Sequence, residues 1–193
     1  IMFGTIGLLL AAAYGYCVYR VHKRGLTWSK GRTAWFMCGA LGLTLVMSTG
    51  LGLYMPAMYS MHMLVHMILS MAIPLLLVLG APLTLLMEAF EAGPKGKPSL
   101  HDYALAATQS KIVAFITNPF VNLVQYLFFL YVLYLFPGLY QFAISEHAGH
   151  LIMNFTFIIS GCFYFWEIIG PDPLPKRHST PFRLAVLFLS MPF

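Results

Sequence analysis

An all-α fold, a polytopic bundle of membrane-spanning helices, follows from three observations. Sixty per cent of the 193 residues are hydrophobic and 9% are charged, against about 45–50% and about 25% in soluble domains. That excess of apolar surface has to face lipid. The apolar stretches approach the roughly 20 residues that a helix needs to cross a bilayer, and lipid gives an open strand no backbone partners, so they are helices. The basic residues alternate between connections. Arg20, Lys23, Arg24, Lys30 and Arg32 occupy the first, Lys95, Lys97 and Lys111 the third, and Lys176, Arg177 and Arg183 the fifth, while the second and fourth carry none. This positive-inside pattern predicts that loops 20–33, 88–118 and 170–183 are cytoplasmic and that the N-terminus lies outside. A net charge of +5 in such loops sets orientation and meets anionic head groups, and argues against nucleic acid as a partner.

The whole chain, 1–193, is expected to form one transmembrane domain with five complete spans and the start of a sixth, a fragment of a protein continuing beyond both ends. Span one covers Ile1 to about Tyr19. Gly7, Ala11 and Gly15 give it a small face that lets another helix approach closely. Span two covers Ala34 to about Tyr54, with Trp28 and Trp35 as interfacial anchors. Span three runs from Ser60 to about Met87, and Pro74, Gly80 and Pro82 predict a kink or break in it. Segment 93–118 is polar and broken by Gly and Pro, with Ser99 a candidate cap for a short surface helix beginning near His101 and Asp102. Span four, Pro119 to about Tyr140, is dense in aromatic residues, and Gln125 is its one strongly polar side chain. Span five, His150 to about Ile169, carries Asn154, Thr156 and Ser160. Gly170–Pro175 forms a rigid inner turn, and a sixth span opens near Pro181. Cys17, Cys38 and Cys162 match no zinc or redox spacing and are expected to act as small buried hydrophobes.

Chemistry concentrates at one end. Met55, Met58, Met61, His62, Met63, His66, Met67 and Met71 crowd the second connection and the outer half of span three, while His147, His150 and Met153 stand at the outer end of span five. Met58, His62 and His66 are four apart and share a helix face if the helix starts early enough to include Met58. Met63, Met67 and Met71 form an adjacent stripe. Imidazole with thioether is a soft donor set that selects Cu(I) over magnesium, calcium or manganese, and zinc does not favour thioether. The candidate metal ligands are His62, His66, His150, Met58, Met63 and Met67. Ionisable groups inside a span are costly, which favours ligation for His62 and His66; His150 reads equally as a ligand or a structural contact, and the methionine stripe alone reads first as a packing surface. His22, His101 and His178 fall in cytoplasmic loops. The acidic residues form no catalytic constellation, so no enzyme is expected. Glu167 is expected to snorkel at the inner interface, and Asp172, between two prolines, to form a turn.

Three blocks, MHMLVHMILSMAIPLLLVLGAPLTLL (61–86), HAGHLIMNF with SGCFYFWEIIGPDPLP (147–175) and FRLAVLFLSMPF (182–193), resemble the polytopic CtaG-type cytochrome c oxidase assembly factors. The resemblance implies a bacterial plasma-membrane protein of the respiratory chain whose partners are oxidase subunits and the lipid bilayer, in some relatives fused to a CopD-like copper-resistance domain. It places His62 and His66 at the two histidines of the third helix and His150 at the outer histidine of the later one. Many relatives carry a further histidine near Asn154 or Phe155; its absence here favours transient copper binding, as in a metallochaperone, over a fixed four-ligand site. Alternatives are a structural accessory subunit, a haem-binding cytochrome with His66 and His150 as axial ligands, and a copper permease, for which the inner half of the bundle holds few polar groups.

Overall fold

The computed structural model describes residues 2–48, 59–93, 99–136, 138, 147–173 and 178–190, and among these there is helix and no strand. Helices α1 (Met2–Lys23) and α2 (Lys30–Ser48) form an antiparallel hairpin. A Cβ on Gly7 would come within 2.7 Å of the Ala40 carbonyl, Gly4 abuts Ser48 and Thr44, and Gly15 faces Met37. The small face expected of the first span is therefore the seam of this hairpin, with Gly4 added to it. The Thr44 hydroxyl bonds the carbonyl of Gly4, 3.3 Å away, across that seam. Gly25, at φ 75°, ends α1: Leu26 N–H reaches the Val21 carbonyl and Gly25 N–H that of His22, the closure that a left-handed glycine permits.

The third apolar segment is one long path in three pieces. Helix α3 (Tyr59–Met67) passes through a wide π turn (Ile68–Ala72) into α4 (Ile73–Leu79), and the chain breaks at Gly80 and Ala81 before α5 (Pro82–Ala89). The expected interruption is present, and its cause is local. Pro74 has no N–H to offer the Ser70 carbonyl one turn back, and the helix widens there, with Ile73 N–H bonding Ile68 O instead. Ala81 takes the left-handed conformation, φ 49° and ψ 58°, which is rare for a residue with a Cβ.

After the turn at 90–93 come α6 (Leu100–Gln109), α7 (Lys111–Ile116) and α8 (Pro119–Leu135), then α9 (His147–Ile168) and α10 (Thr180–Ser190). Ser99 and Asp102 form the capping box of α6, and Asp102 also accepts from Gly93 N–H at 2.9 Å. Backbone N–H bonds from Ser99 first, and Gly93 next, hold the Asp102 carboxyl below its ordinary value. The Asn122 amide donates to the Phe163 carbonyl, tying α8 to α9. Tyr164 bonds Ser190, tying α9 to α10.

Among the described residues three helical segments are long and apolar enough to cross a membrane: Phe3–Lys23, Ser60–Ala89 and Leu151–Ile168. Their outward faces, including Leu8, Leu9, Leu64 and Ile152, are exposed apolar surface, as lipid contact requires. Inside, Val65, Leu69, Ile73 and Leu77 recur every fourth residue along the third segment and pack with α1 and α2 residues such as Tyr14, Phe36 and Leu43.

Four side chains depart from expectation. Trp28 is buried and donates to the Tyr14 hydroxyl at 3.2 Å, so it is a core residue, while Trp35 stays exposed. Cys38 is exposed rather than buried, because its face of α2 points away from both neighbouring helices. Glu167 does not snorkel: it is 1% exposed and its Oε1 lies 3.1 Å from His178 Nδ1. Asp172 is more than a turn former, since its carboxylate caps α5.

Candidate metal centre

Helix α3 places His62 and His66 one turn apart, and their Nε2 atoms lie 2.8 Å from each other. The rings meet edge to face, with centroids 4.4 Å apart and planes at 76°. His66 is buried and His62 half-buried. At this separation the two nitrogens share a proton, one ring donating and the other accepting. Two imidazoles on one tetrahedral ion, with metal–nitrogen bonds of about 2.0–2.1 Å, would hold their nitrogens about 3.3 Å apart. The pair is therefore roughly half an ångström short of a bidentate grip, a distance that side-chain rotation supplies.

Helix α9 closes the inner side. Phe157 sets its ring against His66, centroids 5.3 Å apart and planes at 64°. Met153, one turn earlier on α9, is buried against Phe157, and Asn154 is buried beside it in sequence. Helix α9 comes this close because Gly161 meets the wide turn: a Cβ there would lie 2.7 Å from Pro74 Cγ and nearer still to the Ser70 carbonyl. The same proline that widens α3 thus exposes a carbonyl on which only a glycine can seat.

Of the other expected ligands, Met63 is half-buried near the pair in sequence, whereas Met67 is 50% exposed and, like Met71 of the same stripe at 41%, turns to the outer surface of the bundle. Met58 lies outside the described residues. The backbone of His150 and His147 belongs to the first turn of α9, but their side chains lie outside the described set. Among the described residues no three His, Cys, Asp or Glu side chains gather around one point.

Residues 12–193 match the family model of the cytochrome c oxidase caa3 assembly factor, Caa3_CtaG. The chain belongs to this family. It is 35% identical over all of its 193 residues to an uncharacterized protein of Mycobacterium leprae, ML1998, and 33% identical over the same length to the uncharacterized proteins Mb0105 of Mycobacterium bovis and MT0111 of Mycobacterium tuberculosis. In each case it spans 29% of the relative's length. No solved structure matches it. One family model accounts for nearly the whole CtaG-family chain, and no copper-resistance domain is found within residues 12–193.

Sequence reasoning missed how this CtaG-family chain mends its broken helix. The Gly80 carbonyl, freed at the break, accepts from the Tyr14 hydroxyl at 2.7 Å. The first amides of α5 find their acceptor 88 residues away: Asp172 takes N–H bonds from Thr84 at 2.8 Å and Leu83 at 3.2 Å, plus the Thr84 hydroxyl at 2.6 Å. Burial pushes the Asp172 carboxyl above its ordinary value, against the pull of those Thr84 and Leu83 bonds. The signal was available. A helix opening at Ala81–Pro82 has no Ser, Thr, Asp or Asn of its own at the cap, so an acceptor had to arrive from elsewhere.

Proposed function

We propose that this chain is a non-catalytic factor in cytochrome c oxidase assembly that binds Cu(I) at the outer edge of its bundle and hands it on. The observation that carries the reading is the His62–His66 pair: two imidazole nitrogens 2.8 Å apart, backed by a buried phenylalanine and standing in a methionine-rich stretch. Cu(I) is the cargo, His62 and His66 its first two donors, and Met63, Met58 and His150 the candidates to complete a labile set. Few donors of soft character suit capture followed by release. The same proposal includes five complete spans with a sixth beginning, an N-terminus outside, and loops 20–33, 88–118 and 170–183 in the cytoplasm of a bacterium; the distribution of Lys and Arg supports it. Oxidase subunits are the partners.

The haem alternative has less support. Phe157 fills the space beside the His66 ring that a porphyrin would need.

Copper competition with a chromophoric Cu(I) chelator tests the proposal on the full-length protein. His62→Ala with His66→Ala should weaken Cu(I) binding by at least about 10–100-fold, the loss that even an outer partner of a ligand causes, and should lower the yield of copper-loaded oxidase. Unchanged affinity together with unchanged oxidase maturation sinks the copper mechanism.

A further inference from the structure

We propose that the groove between α7 and α8 receives one transmembrane helix of an oxidase subunit, and that the Gln125 side chain hydrogen-bonds that helix. This rests on the assembly reading and on α8 being a span. The groove measures about 640 Å³ and is lined by Phe115 of α7 and by Phe120, Val121, Val124, Gln125 and Phe128 of α8. It exists because α7 turns away from α8 at Asn118, whose side chain caps the new helix by accepting from Phe120 N–H at 3.0 Å. Phe115, Phe120, Val124 and Phe128 are all more than half exposed, so the apolar wall is open, beginning at the cytoplasmic edge of the bilayer in the proposed topology and running inward along α8. The two valines lie between flanking phenylalanines and leave holes into which the side chains of a crossing helix fit.

Gln125 decides between a lipid tail and a helix. It is half-buried in the groove, about two turns inside α8, and among the described residues its amide makes no hydrogen bond. An acyl chain cannot bond an amide, and a polar group left bare in hydrocarbon is costly. A helix bearing a hydroxyl or amide can meet it, as polar side chains do between membrane helices. The occupant that fits is therefore a transmembrane helix with a polar residue at the crossing and small residues near it.

Val124→p-benzoylphenylalanine in the full-length protein, irradiated in native membranes, tests this, with Leu9→p-benzoylphenylalanine on the exposed face of α1 as the lipid-facing control. The expected result is an adduct between position 124 and a membrane subunit of the oxidase, identified by mass spectrometry, and lipid adducts alone at position 9. Adding Gln125→Leu, which keeps the volume, should cut the yield about 3- to 30-fold, the weight of one interhelical hydrogen bond, while protein level and melting temperature hold. Adducts at position 124 with lipid only, with the rest of the same chain or with another membrane protein overturn the proposal, as does a subunit adduct indifferent to Gln125→Leu. Oxidase activity in membranes lacking the protein is measured alongside. A loss there with no subunit adduct defeats the groove and leaves the assembly role standing; no loss defeats the assembly role.

Discussion

Gly161→Ala tests whether the close seat of α9 on the wide turn is what holds Phe157 against His66. The added Cβ would lie 2.7 Å from Pro74 Cγ, where ordinary contact begins at 3.4 Å, and nearer still to the Ser70 carbonyl. Neither obstacle yields easily, since one is backbone and the other a ring of fixed φ. Helix α9 must back away by about 0.7 Å or more, and overpacking of this kind costs about 1–3 kcal/mol. Two obstacles are met at once, which places the cost in the upper half of that range, about 2–3 kcal/mol; alanine in place of a mid-helix glycine returns at most about 1 kcal/mol, so a net loss of about 1–2 kcal/mol remains. For a chain of this size that is a fall of roughly 2–8 °C in melting temperature in detergent. Phe157 stands one turn before Gly161 on the same face of α9, so the displacement also opens the 5.3 Å separation of the Phe157 and His66 rings and changes Cu(I) affinity. Gly42→Ala is the control: its Cβ meets nothing within 4 Å, and melting should hold or rise. An unchanged melting temperature in Gly161→Ala, or an equal fall in Gly42→Ala, refutes the reasoning.

Three further outcomes are expected. Asp172→Ala strips the acceptor from Leu83 N–H, Thr84 N–H and the Thr84 hydroxyl; these donors are half-buried, so at about 1 kcal/mol each, the low end for a donor left bare, the protein should lose roughly 2–4 kcal/mol, and hydrogen exchange should quicken at Leu83 and Thr84 before the rest of the bundle. Asp102 has a folded pKa below its ordinary 3.8, so its contribution is complete above that value and is lost as pH falls through the lower folded one; amide exchange at Ser99 and Gly93 should accelerate only in that acid window, and fraying of α6 above pH 5 would contradict it. Loss of His62 alone should leave His66 buried beside Phe157 and weaken Cu(I) less than the double variant does, which chelator competition on the single and double variants resolves.

Much of the helical layout was legible because its causes are local. Small residues at Gly7 and Gly15 mark a close seam whatever helix fills it, and Pro74, Gly80 and Pro82 interrupt any helix. The His62–His66 contact was legible for the same reason: residues four apart share a face. What stayed hidden depends on distant neighbours. Nothing in the sequence around Glu167 tells that His178, across a turn of glycine and prolines, comes back to bond it. Trp28 looks like an interfacial anchor by its place beside basic residues, yet the Tyr14 hydroxyl draws its indole N–H inward. Phe157 was unremarkable among many aromatic residues until Gly161 brought its helix against α3.

The wide turn links these features. A π turn inserts one residue into the helical path, and one residue corresponds to about 100° of rotation. Were Ser70 bonded as in a regular helix, the outer piece of the third segment would face about 100° away from where it does, relative to α4, which is fixed by Phe36, Gly39 and Gly80 on one side and Gly161 on the other. His66 would then leave Phe157 for the place that Val65 now holds in the core beside α1 and α2, and Met67, now exposed, would take the position beside Phe157. Pro74 thus acts on the candidate centre from two turns away: by withholding one N–H it widens the helix, and the widening turns the His66 ring toward Phe157 of α9.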